Sequence, residues 1–164
     1  MIKNISRGFT LIELMVVIAI IALLSSIVLS ALNSGRGKAI DTAIKENLIN
    51  ARTRAALYYD TNNNYGTNAS NINLAVGSVC NTVNTIFDPN NTLTVNPMIL
   101  AADKVARGDG VNPTTKVACG ISASGATWIT YVPLFYATGG WCVDSAGQSR
   151  PASSMPGAGV FVCP

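Results

Sequence analysis

Histidine is absent from the 164 residues. That removes the commonest general base near neutral pH and the commonest transition-metal ligand. A Ser-His-Asp hydrolase is therefore excluded. Carboxylate-only chemistry would have to come from Asp60, Asp88, Asp103, Asp109 and Asp144, none of which pairs with another at helical or strand spacing. Charge is scarce as well: Asp, Glu, Lys and Arg make up 12% of the chain, about half the usual share of a soluble domain. The 11 basic residues are scattered and partly offset by 8 acidic ones, for a net charge of +3, so no dedicated nucleic-acid surface is expected. Proline does not occur before Pro89, which leaves a long N-terminal stretch free of the strongest helix breaker. No two cysteines stand at CxxC spacing. Zinc ligands come mostly in such close pairs, so no metal site is expected.

What is abundant is hydrophobic sequence, 49% of the chain, and it is unevenly distributed. No charge occurs from Leu14 to Gly35, and Leu14 to Leu24 is apolar without interruption. About 22 residues in a helix span roughly 33 Å, which matches a bilayer hydrocarbon core of about 30 Å. The chain therefore reads as one membrane span followed by an aqueous domain. Lys3 and Arg7 flank one end and Arg36 and Lys38 the other, so the positive-inside rule is nearly balanced. A cleaved secretory signal would leave a mature terminus near Ala31. Against it stand a poor small-residue cleavage site at Val28-Leu29-Ser30 and a carboxylate, Glu13, at the start of the apolar block. A carboxylate at the head of a membrane helix is costly unless it has a partner, so Glu13 is the leading functional candidate. Cys80, Cys119, Cys142 and Cys163 all follow the span and read as two disulfides of an oxidising compartment. Three pairings are open. Consecutive pairing, Cys80 with Cys119 and Cys142 with Cys163, is preferred because it closes two separate loops.

Gly8-Phe9-Thr10-Leu11-Ile12-Glu13-Leu14, followed by Met15-Val16-Val17-Ile18-Ala19-Ile20-Ile21, resembles the N-terminal signature of type IV pilins and pseudopilins over roughly residues 1 to 32. By that resemblance residues 1 to 8 form a leader that prepilin peptidase removes after Gly8, and Phe9 becomes the N-methylated terminus. Glu13 would meet the N-terminal ammonium of a neighbouring subunit and set its register. The resemblance further implies a single-pass precursor in the inner or cytoplasmic membrane, an assembly platform there, and incorporation into an extracellular filament of this or other pilins. No cofactor and no enzymatic activity are implied. Adhesion, motility or DNA uptake by a pilus is the expected task, and the alternative is a pseudopilin of a type II secretion system. Two disulfides in the mature chain favour the exposed pilus.

Beyond the span, Ile40, Ile44, Leu48, Ala51, Ala55 and Tyr58 mark one stripe of a helix, with Asp41 and Lys45 spaced for an i,i+4 ion pair. A single helix from about Phe9 to Tyr59 is expected, weakened at Gly35 and Gly37. Its stripe should dock on a C-terminal sheet. The Asp60, Asn62, Asn64 alternation is faintly that of a calcium loop, but Gly66 falls one place late and Asn71 stands where Glu is needed, so a chain reversal is expected instead. Asn68-Ala69-Ser70 and Asn90-Asn91-Thr92 fit the short glycosylation pattern and carry no weight alone. Ile86 to Leu93 reads as a turn and Pro97 to Val105 as a short helix. Thr127 to Phe135, Gly140 to Asp144 and Gly159 to Cys163 read as strands, with Trp128, Tyr131, Phe135, Trp141 and Phe161 in the core. By the resemblance, Cys142 and Cys163 would bound the disulfide loop near the pilin C-terminus. The expected fold is α+β: leader 1–8, transmembrane and filament-core helix 9–35, amphipathic continuation 36–59, and a β-rich exported domain 60–164.

Overall fold

Free of proline and carrying a helical stripe in its second half, the N-terminal stretch forms one helix, α1 (Leu11–Asn62). The computed structural model describes residues 8–66, 80, 83–106, 117–157 and 159–164. Lys3 and Arg7 of the expected leader, Asn68-Ala69-Ser70, Asn71 and Asp109 lie outside these. Among the described residues α1 is followed by α2 (Asn96–Ala106), β1 (Ala118–Ile121), β2 (Trp128–Pro133), β3 (Gly140–Asp144) and β4 (Ser149–Ala152). The fold is α+β, a long N-terminal helix and a small antiparallel sheet. The chain divides into two units, Met1–Arg36 and Gly37–Pro164.

In the first unit every residue from Gly8 to Asn33 is exposed. These side chains are nearly all apolar, with Leu11, Leu23 and Ile27 each about 70% exposed. The polar exceptions are handled locally, as where Ser26 Oγ donates to the Leu23 carbonyl at 2.8 Å. Helix is assigned through both Gly35 and Gly37.

In the second unit the expected stripe is buried: Ile44, Leu48, Ala51, Ala55 and Tyr58 join one core with Ile86, Phe87, Val95, Ile99, Trp128, Val132 and Val143. The helix ends three residues later than expected, because the asparagines close it. Asn62 Nδ2 donates to the Tyr58 carbonyl at 2.9 Å, Asn63 takes a positive φ of 55°, and Asn64 Oδ1 accepts from Gly66 N–H. The polar cluster is thus spent on the chain reversal.

The four strands form a meander, β1-β2-β3-β4, antiparallel throughout. β2 alternates between two cores. Trp128 and Val132 face the helical side, while Ile129 and Tyr131 pack with Ala118, Cys142, Ala152, Phe161 and Cys163 on the other. Gly140 is required by this second layer, since a Cβ there would lie 2.4 Å from Tyr131 Cε2.

Three expectations need correction. Gly159 to Cys163 is not a strand. The segment lies over the far face of the sheet, with Phe161 against Gly120 and Cys163 bonded to Cys142. Phe135 is not core: it sits in the loop after β2 and is 51% exposed. Asp41 does not pair with Lys45 but turns inward. Its carboxylate accepts the backbone N–H groups of Phe135, Tyr136 and Ala137 at 2.7, 3.0 and 2.9 Å, while Lys45 Nζ lies 4.8 Å over the Trp141 ring. β1 and β4, too short and irregular in pattern to be anticipated, complete the sheet.

Asp88 shows the same use of a carboxylate, accepting from Asn84 N–H at 2.8 Å and Asn90 N–H at 2.9 Å. These backbone bonds hold its pKa below the ordinary value.

Two outcomes follow. Asp41→Ala leaves three amides without their acceptor and should cost about 2 kcal/mol, read from denaturant unfolding of the full chain in detergent micelles; an unchanged midpoint would show that water replaces the carboxylate. Because Asp88 has a depressed folded pKa, its contribution is fully present above the unfolded value of about 3.9 and fades as pH falls through the lower folded one. Asp88→Asn should therefore flatten the loss of stability below about pH 4 and leave the slope above it unaltered.

Candidate functional site

The head of α1 is built by two residues. Thr10 stands just before the first helical residue, where amide groups have no partner within the helix, and Glu13 lies three positions on. Thr10 N–H donates to Glu13 Oε2 at 2.9 Å and Thr10 Oγ donates to the same oxygen at 2.7 Å. In return Glu13 N–H donates to Thr10 Oγ at 3.3 Å. This reciprocal capping box starts the helix, and its carboxylate also sits favourably at the positive end of the helix dipole. The Thr-x-x-Glu spacing is the local signal for such a cap, and it lies inside the pilin-like motif, where it passes for part of that signature.

Gly8 and Phe9 precede the box in non-helical backbone, Phe9 80% exposed. The box uses neither, so a cut between Gly8 and Phe9 would leave it intact. Below it the exposed apolar surface runs from Leu11 to Leu32. The head is thus a capped, acidic helix start fused to an uncovered hydrophobic rod, an arrangement suited to lipid or to other copies of the same helix.

The four cysteines lie in the second unit as two bonds, Cys80–Cys119 and Cys142–Cys163, with Cα separations of 5.8 and 5.7 Å. Asn96 Nδ2 donates to the Cys80 carbonyl. Cys163 is held three ways: by its disulfide, by Asp144 Oδ2, which accepts its N–H at 2.8 Å, and by Arg150, which donates to its carbonyl. Asp144 is fully buried and also accepts from Gln148 N–H at 2.9 Å. Neither Asp144 nor Arg150 carried a sequence signal for this role, because their partners are backbone groups, which have no side-chain identity to read. Of the aspartates considered for hydrolytic chemistry, Asp109 lies outside the described residues and Asp103 is buried in α2. Asp88 and Asp144 are committed to amides, and Asp60 lies in the last turns of α1. Tyr58, Tyr65 and Tyr131 have pKa values raised chiefly by burial.

Comparison with known proteins bears on this head. A family profile described as the prokaryotic N-terminal methylation motif matches residues 3–29. The chain is similar to the type IV wide pilus major component PilA4 of Thermus thermophilus, at 41% identity over 63 residues, 38% of this chain and 48% of that protein. The chain therefore spans about half the length of the curated relative it matches. No solved structure matches.

Removing the cap should loosen the helix start alone. Thr10→Ala is expected to speed amide hydrogen exchange at Leu11 to Glu13 in micelles while exchange in Ile44 to Leu48 stays as in the parent. Equal exchange at the head in both proteins would mean that the box adds nothing there.

Proposed function

We propose that this chain, whose N-terminal segment matches the prokaryotic N-terminal methylation motif, is a type IV pilin, a structural subunit of a type IV pilus filament. Prepilin peptidase cuts after Gly8, Phe9 becomes the N-methylated terminus, and the precursor waits as a single-pass protein of the inner or cytoplasmic membrane. An assembly platform in that membrane then draws the helix into a filament of this or related pilins. The role is mechanical, in adhesion, motility or DNA uptake.

The observation that carries this reading is the run from Gly8 to Asn33 in which every residue is exposed, starting within the methylation motif. Apolar side chains of this density are stable in lipid or packed against identical helices, and the same surface serves both states in turn. Within a filament the Glu13 carboxylate would enter low-dielectric surroundings, where an unpaired charge is costly. The Phe9 ammonium of a neighbouring subunit supplies the opposite charge, so only one axial register satisfies both groups. A pseudopilin of a type II secretion system would use the same head. The two disulfides favour the pilus, since they suit a subunit exposed outside the cell.

Mass analysis of the chain recovered from cells should show a terminus at N-methylated Phe9; an uncut chain, or one starting near Ala31, would sink the proposal. The charge and the cap are separable at one residue. Glu13→Gln keeps a capping side chain but no charge, and it should enter filaments as poorly as Glu13→Ala while accumulating normally in the membrane. Normal filament yield from Glu13→Gln would assign the role to the cap.

A further inference from the structure

The sulfur, the N–H and the carbonyl of Cys163 are each held by a neighbour on one face of the sheet. Cys142 and Asp144 are two apart on β3, so their side chains share that face. Arg150 stands directly opposite Cys142 in the β3–β4 register and joins them there. Cys142 bonds the sulfur, Asp144 Oδ2 accepts the N–H at 2.8 Å, and Arg150 donates to the carbonyl. A carboxylate on the amide and a guanidinium on the carbonyl are charge-assisted bonds to backbone. Neither depends on the sulfur.

The carboxylate is set in place by its own hairpin. One Asp144 oxygen accepts Gln148 N–H at 2.9 Å across the β3–β4 turn, a contact four residues away in sequence, and this orients the other oxygen toward Cys163. An acceptor already oriented by local structure binds with less ordering cost. The segment after β4 also has apolar contacts of its own. Met155 and Phe161 pack on the core that contains Ile129 and Tyr131, and Phe161 needs the bare backbone of Gly120, where a Cβ would lie 3.2 Å from Phe161 Cε1. A disulfide by itself shortens the free chain without orienting its backbone. Here the backbone is oriented by other groups.

We infer that Asp144 and Arg150 form a seat that captures the backbone of Cys163 before its disulfide exists, so that Cys142 is the thiol it meets. Four cysteines allow three pairings, and a seat for Cys163 beside Cys142 selects one of them. Asp144 and Arg150 are positioning residues for this oxidation. One thiolate of the pair attacks a small disulfide oxidant, such as oxidised glutathione, and displaces one thiol; the second thiolate then attacks the mixed disulfide and displaces another. The two electrons and two protons lost by the cysteines end on the two displaced thiols. In the seated chain the two Cα atoms are 5.7 Å apart, inside the range a disulfide spans. The second attack is therefore intramolecular with little chain left to order.

The test uses the full chain in detergent micelles carrying Cys142→Ser and Cys163→Ser, which leaves the Cys80–Cys119 bond in place. Amide hydrogen exchange at position 163 should remain about tenfold or more slower than in an unstructured chain. Adding Arg150→Ala should remove that protection while Leu48 exchanges as before, and Arg150→Lys should restore part of it. Arg150 is exposed, so its truncation opens no cavity in the core. Unprotected exchange at position 163 in the double serine variant would show that the disulfide alone holds the segment and would overturn the seat. Protection that survives Arg150→Ala would assign the hold to the apolar contacts and overturn it equally. With all four cysteines present and first reduced, closure of Cys142–Cys163 by oxidised glutathione, read by alkylation and peptide mass mapping, should slow about tenfold in Arg150→Ala, with Cys163 found in foreign pairs. The same rate and the same pairs in parent and variant would overturn the selection.

Discussion

One helix has to satisfy two kinds of surroundings, and the rest of the molecule is arranged around that demand. From Gly8 to Asn33 the chain has no cover of its own. From Gly37 α1 offers Ile44, Leu48, Ala51, Ala55 and Tyr58 to a core that the sheet and α2 complete. Backbone amides in lipid must be satisfied within the segment, which only a continuous helix achieves without partners. The helix is then extended by side chains whose burial is a matter of ordinary packing. The change of regime occurs at Gly35-Arg36-Gly37, where exposed charge first returns.

Low charge does not leave the second unit without electrostatic organisation. Asp41, Asp88 and Asp144 are each aimed at backbone N–H groups. A carboxylate accepting two or three amides is a strong and directional tie. Each fastens a segment with no ladder of its own: the loop after β2, the turn before α2, and the segment after β4 at Cys163. The disulfides reinforce the same logic. Cys80–Cys119 ties an irregular segment to β1, and Cys142–Cys163 ties the chain end to β3. A short meander sheet gains its two buried faces in this way, α1 and α2 on one side and the C-terminal segment on the other.

The split between what was readable and what was not follows from the range of each interaction. The N-terminal motif, the uncharged stretch, the stripe from Ile40 to Tyr58, α2, β2 and β3 were all legible, because each rests on local pattern: composition, a period of 3.6, or a run of β-branched and aromatic residues bounded by turn formers. Even the Thr10–Glu13 box was local and could have been read.

The sequence by itself determined that this chain has an apolar helix starting with a motif-bearing head, an amphipathic continuation and a small sheet. Tertiary structure alone decided that Asp41 faces inward, that Gly37 receives Tyr136, that Phe135 stays outside, and that Gly159 to Cys163 covers the sheet instead of joining it. The physical reason is that these outcomes depend on backbone groups about 95 residues away in sequence or on which sheet face still lacks a cover. Neither leaves a local trace, since an amide donor carries no side-chain identity and an alternating apolar segment suits a strand and a covering layer equally well.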